Sequence, residues 1–492
     1  MLRCLYRNIR FTICIAIYMF TPAVYALQPS DFDVLISGLT EEGLPVIHLK
    51  VNESALNSDT YIEGTITIAD ALKRTENKQL FESECLIKYR GATAQAYEKK
   101  SLSIKFLYPK DSVDRQRNVK LFGIRKEDHW ILDAMAIDRI RMRNRVCFDL
   151  WNRISRTPYE TKNDNRNGTE GLFVELCIND TYRGIYCITD PVNRKLLNLN
   201  KQEAGEPGGV LYKGINWKEG NDLLSYNVSP DNSSVCGAWE CKYPDVITSD
   251  TWVPLQQLIN FCGSSSDADF TANYKQYFYK DNIAAYMILA YILNMSDTGW
   301  KNCYLSQQRI GEGPFLVTVW DMDNSFGGYW NGNRDETYIT YGRMNNIGPF
   351  NRLYVKNIDG FRSFVIGLWQ IYRTGPFHPD SIDLRLNTYA DKFVNSGAWE
   401  REYNRWNNNP VPLEQNIQNE LSYVKSWYRK NYNILSGLWK STDLLQTEQD
   451  DAQSIHPAGS SSAYTLLGQP VRVEDLPQGT LYIQGGQLHY VP

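Results

Sequence analysis

Hydrophobic and polar positions alternate along much of the chain up to about residue 190, in the way that is typical of β-strands. Four segments rich in β-branched residues alternate in this way or run apolar: 46–51, 61–69, 84–89 and 101–107. Alternation places one face of a strand in a core, and branched side chains pack well on a pleated surface. A helical period over 137–154 interrupts the strands, and a hairpin over 172–188 follows it. This pattern predicts a β-rich region that contains one helix.

Beyond residue 190 the hydrophobic period changes to that of helices. Helical segments cover 251–295, 352–372, 380–396 and 412–440, with a β interruption at about 302–319. The sequence therefore predicts an α+β protein with a β-rich N-terminal lobe over 27–190 and a mainly helical C-terminal lobe over 191–440. The polar stretch 441–462 has linker composition, and residues 463–492 are predicted to form a small β unit.

The first 26 residues have the features of a secretory signal peptide. Three arginines precede an apolar run over 11–20, and Val24 and Ala26 occupy the positions of a cleavage site. The run is too short to cross a bilayer, and no later segment is long enough to do so. We therefore expect residues 1–26 to be removed from an exported chain located in the periplasm, on the cell surface or outside the cell.

Composition and charge narrow the classes of function. The chain has 492 residues, 42% hydrophobic and 22% charged, and this length allows a large core in two or more lobes. The formal net charge is −4, and the predicted signal peptide carries three arginines and no acidic residue. Since the cleaved chain is more acidic still, nucleic acid is not expected as a partner. The oligomeric state stays open.

Export also changes the interpretation of the cysteines. Ten are present and eight lie beyond the signal peptide, an even number that permits disulfides in an oxidising compartment. Cys236 and Cys241 form the best local pair. Four others have apolar neighbours and are expected to be buried thiols: Cys147, Cys177, Cys187 and Cys303.

The segment between residues 281 and 328 carries the most informative chemistry. An almost wholly apolar stretch over 284–293, capped by Asp281, predicts a buried helix that ends at Asn294. A polar loop from Asp297 to Asn302 follows, and then a hairpin turns at 311–314. The second strand of this hairpin leads into Trp320-Asp321-Met322-Asp323.

This order places an aspartate, an amide and further carboxylates at neighbouring loop ends. Phosphoryl transfer uses one aspartate to orient the attacking hydroxyl, and amide and carboxylate oxygens to hold divalent cations. Protein kinases use the order helix, Asp-x4-Asn loop, hairpin and metal-binding Asp, and Asp297 and Asn302 have that spacing. The spacing alone also arises by chance, so the alternative is that these residues make ordinary loop hydrogen bonds.

Five blocks of residues occur in order over residues 34–440. They are Ile87 to Thr93 with Lys99 to Phe106; Trp130 to Leu132 with Asp138 and Arg143-Asn144; Phe173 to Glu175 with Asn179 and Gly184 to Tyr186; Asn294 and Asp297 with Lys301-Asn302; and Trp320-Asp321-x-Asp323 with Gly327. Together these blocks resemble the CotH kinase family, and their common order is more specific than any single block.

The resemblance implies a protein-kinase-like two-lobed fold that binds ATP with Mg²⁺ (or Mn²⁺) and phosphorylates proteins, including spore coat proteins in spore formers. By position, it implies that Asp297 is the catalytic residue. It likewise implies that Asn302 and Asp321 are metal ligands, with Asp323 as an alternative or additional one.

The resemblance also implies a set of nucleotide-binding residues. The loop with Arg90 and Thr93 would lie near the phosphates, and Trp320 would belong to the same site. Lys100 or Lys105 would supply the cation that faces the phosphates. Strand alternation puts the two lysines on opposite faces but does not choose between them, and either could be a solvated strand lysine.

The chain departs from the pattern at several points. It has no Gly-x-Gly-x-x-Gly loop and no His before Asp297, and Asp190 stands where the family often has Glu. The segment after 463 resembles a C-terminal secretion or surface-sorting segment of Bacteroidetes proteins but lacks the Lys pair near its end.

The family resemblance, together with the predicted signal peptide, implies a secreted atypical kinase that acts on Ser or Thr of an exported protein. Two alternatives stay open: a non-catalytic secreted or surface binding protein on the same scaffold, and transfer of a nucleotidyl instead of a phosphoryl group.

Overall fold

A computed structural model describes most of the chain between residues 30 and 440 and short pieces of the tail. The described ranges are 30–91, 93–159, 165–203, 205–225, 230–295, 301–339, 348–407, 409–440, 463–465, 470–471, 474, 481–484 and 487–490. The predicted signal peptide, 1–26, and the predicted linker, 441–462, lie outside them.

Seven strands of the N-terminal region close into a barrel in the order β1-β2-β3-β4-β7-β9-β8. They are β1 (Val46–Val51), β2 (Ile62–Ala69), β3 (Leu80–Tyr89), β4 (Leu102–Leu107), β7 (His129–Asp133), β8 (Gly171–Ile178) and β9 (Thr181–Thr189). All neighbours are antiparallel except β1 and β8, which pair in parallel and complete the ring. Inward-facing apolar residues of every strand fill the barrel interior.

Closure of the sheet distinguishes this region from the expected arrangement. The mixed α+β class, with a β-rich N-terminal region and helices in the C-terminal part, is confirmed. The kinase-like two-lobed arrangement stays a prediction, because the N-terminal strands form a closed barrel. The pattern of single strands predicted their positions but could not reveal that the first strand pairs with the eighth.

Helix α2 (Arg143–Ile154) starts later than the predicted 137–154. The reason is the buried Asp138 carboxylate, which accepts hydrogen bonds from the backbone N–H groups of Ile140, Met142 and Arg143 at 3.0, 2.7 and 2.6 Å. These bonds hold residues 138–142 in a turn and satisfy N–H groups at the helix N-terminus.

A second sheet of five strands has the order β11-β12-β10-β13-β14. Its strands are β10 (Val210–Gly214), β11 (Val235–Cys236), β12 (Trp239–Tyr243), β13 (Cys303–Gln307) and β14 (Leu316–Val319). The sequence predicted only the β13–β14 hairpin, because the other strands are short and separated by long loops. Between β4 and β7 the chain forms a two-stranded antiparallel ribbon of β5 (Val119–Lys120) and β6 (Lys126–Glu127).

Helices make up most of the remaining described chain. They are α1 (Asp31–Ser37), α3 (Val253–Ser264), α4 (Asp267–Tyr277), α5 (Lys280–Leu293), α6 (Gly348–Val355), α7 (Phe361–Tyr372), α8 (Pro379–Asn395), α9 (Ala398–Trp406) and α10 (Ile417–Leu438). Short 3₁₀ helices cover Glu53–Ala55, Thr93–Ala96, Ser249–Trp252 and Ile358–Gly360. No helix in the described ranges is long and apolar enough to cross a membrane.

Helix α5 is buried along nearly its whole length, as its apolar sequence predicted. It ends at Asn294, whose left-handed backbone conformation (φ 46°) terminates the helix. The predicted cap differs: Tyr279 is the N-cap residue, and Asp281 lies inside the first turn, where an acidic side chain interacts favourably with the helix dipole.

In the tail, the described residues form a four-stranded sheet in the order β16-β15-β17-β18. The strands are β15 (Ala463–Thr465), β16 (Pro470–Val471), β17 (Leu481–Gln484) and β18 (Gln487–Tyr490). A sorting function for this segment stays a prediction.

The eight cysteines beyond residue 26 are buried thiols, none of them in a disulfide. The expected local pair does not form a bond. Cys236 lies opposite Trp239 in the β11–β12 ladder, while the Cys241 thiol donates to the carbonyl of Tyr243 at 3.2 Å.

A buried ion cluster joins α9 to the barrel. Glu402 Oε1 accepts from Lys99 Nζ at 2.8 Å and from Arg141 Nε at 2.6 Å, and all three side chains are fully buried. Its Oε2 accepts from the backbone N–H of Ile185, in β9, at 2.7 Å. Gly184, with φ +103°, has no room for a Cβ, because that atom would collide with the Glu402 carboxylate.

The two neighbouring cations keep the Glu402 carboxyl group ionised. Burial favours the neutral acid, but Lys99 and Arg141 outweigh it, so the pKa of Glu402 lies below its ordinary value. Burial lowers the pKa of Lys99 to about 7, against the attraction of Glu402. Removal of the carboxylate would therefore leave two buried cations without their shared partner.

Replacement of Glu402 by Gln tests the weight of this cluster. We expect Glu402→Gln to lower the free energy of unfolding by about 3–5 kcal/mol, because it breaks a buried ion network from one side. Glu400→Gln, at an exposed position of the same helix, should change it by less than about 0.5 kcal/mol. Urea denaturation measures both variants, and equal stabilities would contradict the prediction.

His129 gives the barrel a pH dependence of known sign. Burial, with Arg90 and Lys105, lowers the pKa of His129 from 6.5 to about 4. Because the unfolded chain takes up the proton first, stability should fall as pH drops from about 6.5 to about 4, by at most ~3 kcal/mol. We expect His129→Gln to reduce that slope, measured by urea denaturation at several pH values. An unchanged slope would show that other groups cause it.

Candidate functional site

A cavity of about 780 Å³ lies where the loop after β3, the start of α2 and the ends of β10 and β14 meet. Among the residues predicted from the sequence to form a site, five line this cavity: Arg90, Asn302, Trp320, Asp321 and Asp323. They come from segments more than 200 positions apart in the chain, and the fold brings them together.

The β13–β14 hairpin positions three of these residues. Asn302 immediately precedes β13, and Trp320 and Asp321 immediately follow β14. The N–H of Trp320 donates to the carbonyl of Asn302 at 3.0 Å. The N–H of Asn302 donates in turn to the carbonyl of Gly214, the last residue of β10, at 3.2 Å. The open end of a buried hairpin is thereby fixed to the neighbouring strand.

Asn302 and Asp321 both have left-handed backbone conformations, with φ of 60° and 55°. Such conformations are uncommon for residues other than glycine, and they are concentrated at functional sites. Here they allow both residues to turn out of their strands at the cavity wall. β13, between Asn302 and Asp321 in the hairpin, pairs with β10 on one side and β14 on the other.

A chain of hydrogen bonds connects this hairpin end with the barrel. The N–H of Met322 donates to Asn144 Oδ1 at 3.1 Å, and Asn144 Nδ2 donates to Asp133 Oδ2 at 3.0 Å. Asp133 ends β7, and its other oxygen accepts from the N–H of Met135 at 3.1 Å. Sequence reasoning named Asn144 only as part of a motif and missed Asp133, whose partners are distant in the chain.

Trp320 forms an aromatic wall of the cavity. It packs edge-on against Phe148 and Tyr304, with centroid separations of 5.9 Å in both pairs. The guanidinium of Arg90 lies 5.4 Å from the centroid of the Trp320 ring, and Lys213 Nζ lies 5.8 Å from it. Lys213 was missed from the sequence because β10 was not predicted as a strand.

The structure places neither Lys100 nor Lys105 on the cavity wall. Lys100 Nζ instead donates to the carbonyls of Gln95 and Tyr97 at 2.8 and 2.9 Å, which fixes the loop that does line the cavity. Lys105 Nζ packs over the ring of Tyr61 at 4.7 Å. Local backbone carbonyls and a neighbouring ring contact these two ammonium groups, and the role of either lysine as the cation that faces the phosphates stays a prediction.

Thr93, Asp297 and Asp190 were also singled out from the sequence. Thr93 begins the 3₁₀ helix Thr93–Ala96 in the loop after β3. Asp297 lies outside the described residues. Asp190 is buried, accepts from Arg125 Nε at 2.6 Å and from the N–H of Glu170 at 2.8 Å, and does not line the cavity. Its role in the described structure is that of a buried ion-pair partner.

The oxygen donors of the site fit a hard divalent cation. Asn302 supplies an amide, and Asp321 and Asp323 supply carboxylates to the lining of one cavity. Within the described ranges, no three His, Cys, Asp or Glu side chains are already grouped to hold a metal. That donor set suits Mg²⁺, which keeps several waters and takes oxygens from phosphates, and it does not suit a closed zinc site.

The charge of Asp323 extends to the opposite side of the cavity. Tyr97, in the loop after β3, has its pKa raised by burial and by the nearby Asp323 carboxylate. This Tyr97 hydroxyl therefore stays protonated and can donate a hydrogen bond. The barrel loop and the carboxylate loop thus face each other across one space.

Comparison with known families identifies one match. A family model described as CotH kinase protein matches residues 87–435. This range includes all the cavity residues named above. A search of curated proteins found no match.

Hydrogen exchange tests whether Lys100 stabilises the loop after β3. We expect Lys100→Met to speed hydrogen exchange in residues 91–97 by about tenfold, since it removes hydrogen bonds from a charged donor to two carbonyls. Lys105→Met, in β4 and away from this loop, should leave the exchange of that peptide unchanged. Mass spectrometry of deuterated peptides gives both rates, and equal rates would exclude the role.

Proposed function

The chain belongs to the CotH kinase protein family, and on this premise we propose that it transfers the γ-phosphate of ATP to a Ser or Thr hydroxyl of an exported protein, with Mg²⁺ or Mn²⁺. The observation that best supports the proposal is the meeting of Asn302, Asp321 and Asp323 with Arg90 in one cavity. Phosphoryl transfer needs oxygen donors for a metal and a cation for the phosphates around the same space.

The roles follow from the chemistry of each group. Asn302, Asp321 and Asp323 would hold the cation, which when bound neutralises charge on the phosphate oxygens. Arg90 offers a planar guanidinium that suits two phosphate oxygens at once. Trp320 gives this guanidinium an aromatic surface at 5.4 Å and thereby limits its freedom.

Asp297 is the proposed general base. It belongs to the sequence segment between α5 and β13, three residues after Asn294 and five before Asn302. In the proposed reaction its carboxylate accepts the proton of the acceptor hydroxyl as that oxygen attacks the γ-phosphorus. The bond from the γ-phosphorus to the bridging oxygen breaks, and ADP leaves.

The order of elements supports a kinase-like organisation around this cavity. A buried helix, α5, is followed by the loop with Asp297, then by the β13–β14 hairpin and then by Asp321. In this proposal the barrel takes the place of the β-rich lobe, and its loop after β3 covers the phosphates. Export through the signal peptide would place the acceptor protein outside the cytoplasm.

A non-catalytic binding protein is the main rival to a kinase. It would have no need for two carboxylates and an amide at one hairpin end, with two of these three residues in left-handed conformations. This arrangement favours an active site, and nucleotide-binding measurements separate the two functions.

Two single variants should separate metal binding from chemistry. We expect Asp321→Ala to abolish the Mg²⁺-dependent rise in melting temperature with ATP, because it removes a metal ligand. Asp297→Ala should keep ATP binding but lower phosphoryl transfer by about 10²–10⁴, because loss of a general base acts on the chemical step. Thermal-shift titration and transfer of labelled γ-phosphate to a protein acceptor measure the two effects.

Glu336→Gln serves as the control, since Glu336 is exposed and follows the same hairpin. It should bind ATP and transfer phosphate like the parent chain. If the parent shows no Mg²⁺-dependent binding of ATP, or if both Asp variants behave like the parent, the kinase proposal is wrong. If labelled AMP instead of phosphate appears on the acceptor, the reaction is nucleotidyl transfer.

A further inference from the structure

Lys213 holds a central position in the second sheet. It lies in β10, opposite Glu240 of β12 and Tyr304 of β13 in the strand registers. Its side chain lines the cavity, with Nζ 5.8 Å from the centroid of the Trp320 ring. A strand between two others is a rigid support, so the position of this lysine is set by the backbone.

Lys213 and Arg90 approach the same ring without an anionic partner of their own. In the part of the chain that the structure describes, neither side chain forms an ion pair or donates a hydrogen bond to protein. Arg90 and Lys213 are half-buried. The fully buried cations Lys99 and Arg141 share Glu402, and the buried Arg143 is bonded to Asp138. These two cations of one cavity therefore differ from the paired, buried cations of the described chain.

The positive charges of Arg90 and Lys213 repel each other across the cavity. Burial and the charge of Arg90 lower the pKa of Lys213 to about 8, in spite of the opposing charges of Asp321 and Glu240. Lys242 acts in the same direction as Arg90. Near neutral pH the ammonium form still predominates, so an anion that enters between Lys213 and Arg90 gains attraction from both.

A purely structural role accounts poorly for Lys213. At 5.8 Å the ammonium is near the outer limit of a favourable cation–π contact. Such a contact offsets only part of the penalty for desolvating a charge beside a second cation. A ligand with several negative oxygens removes that penalty, and the proposed metal ligands Asp321 and Asp323 in the same cavity require the same kind of ligand.

We propose that Lys213 and Arg90 together bind the non-bridging oxygens of the phosphate chain of a nucleoside triphosphate. This inference rests on the proposed function and assigns to Lys213, from the second sheet, the role that sequence comparison gave to Lys100 or Lys105. Arg90 reaches the chain from the barrel and Lys213 from the opposite element, so the phosphates connect the two parts of the molecule. Asn302, Asp321 and Asp323 hold the metal that shares the same oxygens.

Isothermal titration of the full chain with MgATP and with magnesium tripolyphosphate tests this role. We expect Lys213→Gln to weaken both ligands by about 10–100-fold, the usual effect of losing a charge-assisted hydrogen bond. Lys213→Met should show the same loss, which keeps the test valid if one variant folds poorly. Lys213→Arg should stay within about fivefold of the parent, because it retains the charge.

Lys242→Gln is the matched control. Lys242 is on the neighbouring strand and is paired with Glu240 at 2.9 Å, but it does not line the cavity. It should bind both ligands within about threefold of the parent, because only a long-range charge is removed.

The outcomes separate this inference from the proposed function. If the parent binds both ligands and Lys213→Gln binds them equally well, or no worse than Lys242→Gln does, the role of Lys213 is refuted and the kinase proposal stands. If the parent binds neither ligand, the proposed function fails, and the role of Lys213 fails with it. Loss in the Gln and Met variants, with retention in the Arg variant, supports the inference.

Discussion

The arrangement of the molecule depends on one buried carboxylate, that of Glu402. It sits at the contact between α9 and β9 and binds a lysine from the barrel, an arginine from the turn before α2 and a backbone amide. A buried charge is tolerated only when its partners are close and well oriented. The position of α9 on the barrel is therefore specified by charge as well as by packing.

This constraint extends to the cavity through Arg141. The guanidinium that binds Glu402 also donates to the carbonyls of Met135, Ala136 and Asp138 at 2.7, 2.9 and 2.8 Å. Met135 and Ala136 line the cavity, and Asp138 begins the turn that precedes α2. One side chain thus transmits the position of a C-terminal helix to the cavity wall and to the helix that carries Asn144.

The parts of the structure that sequence predicted are those with local signals. The buried helix α5 and the β13–β14 hairpin lie within about forty positions, so periodicity was sufficient to predict them. Asn302 and Asp321 were named because their blocks resemble those of a known family. The Lys99–Glu402 pair spans 303 positions, and nothing in either neighbourhood indicates the other. Lys213 was missed for a related reason, because its strand is short and is recognisable only beside β12 and β13.

The ion cluster at Glu402 also limits how the chain can be divided. A fragment that ended after the barrel, near residue 190, would carry Lys99 and Arg141 with no carboxylate to neutralise them, and it would lose the support of the cavity wall as well. The barrel is consequently not a portable module that could be exchanged between proteins or expressed alone. Insertions and deletions are better tolerated in the loops between residues 190 and 398, because they leave both halves of this contact in the same polypeptide.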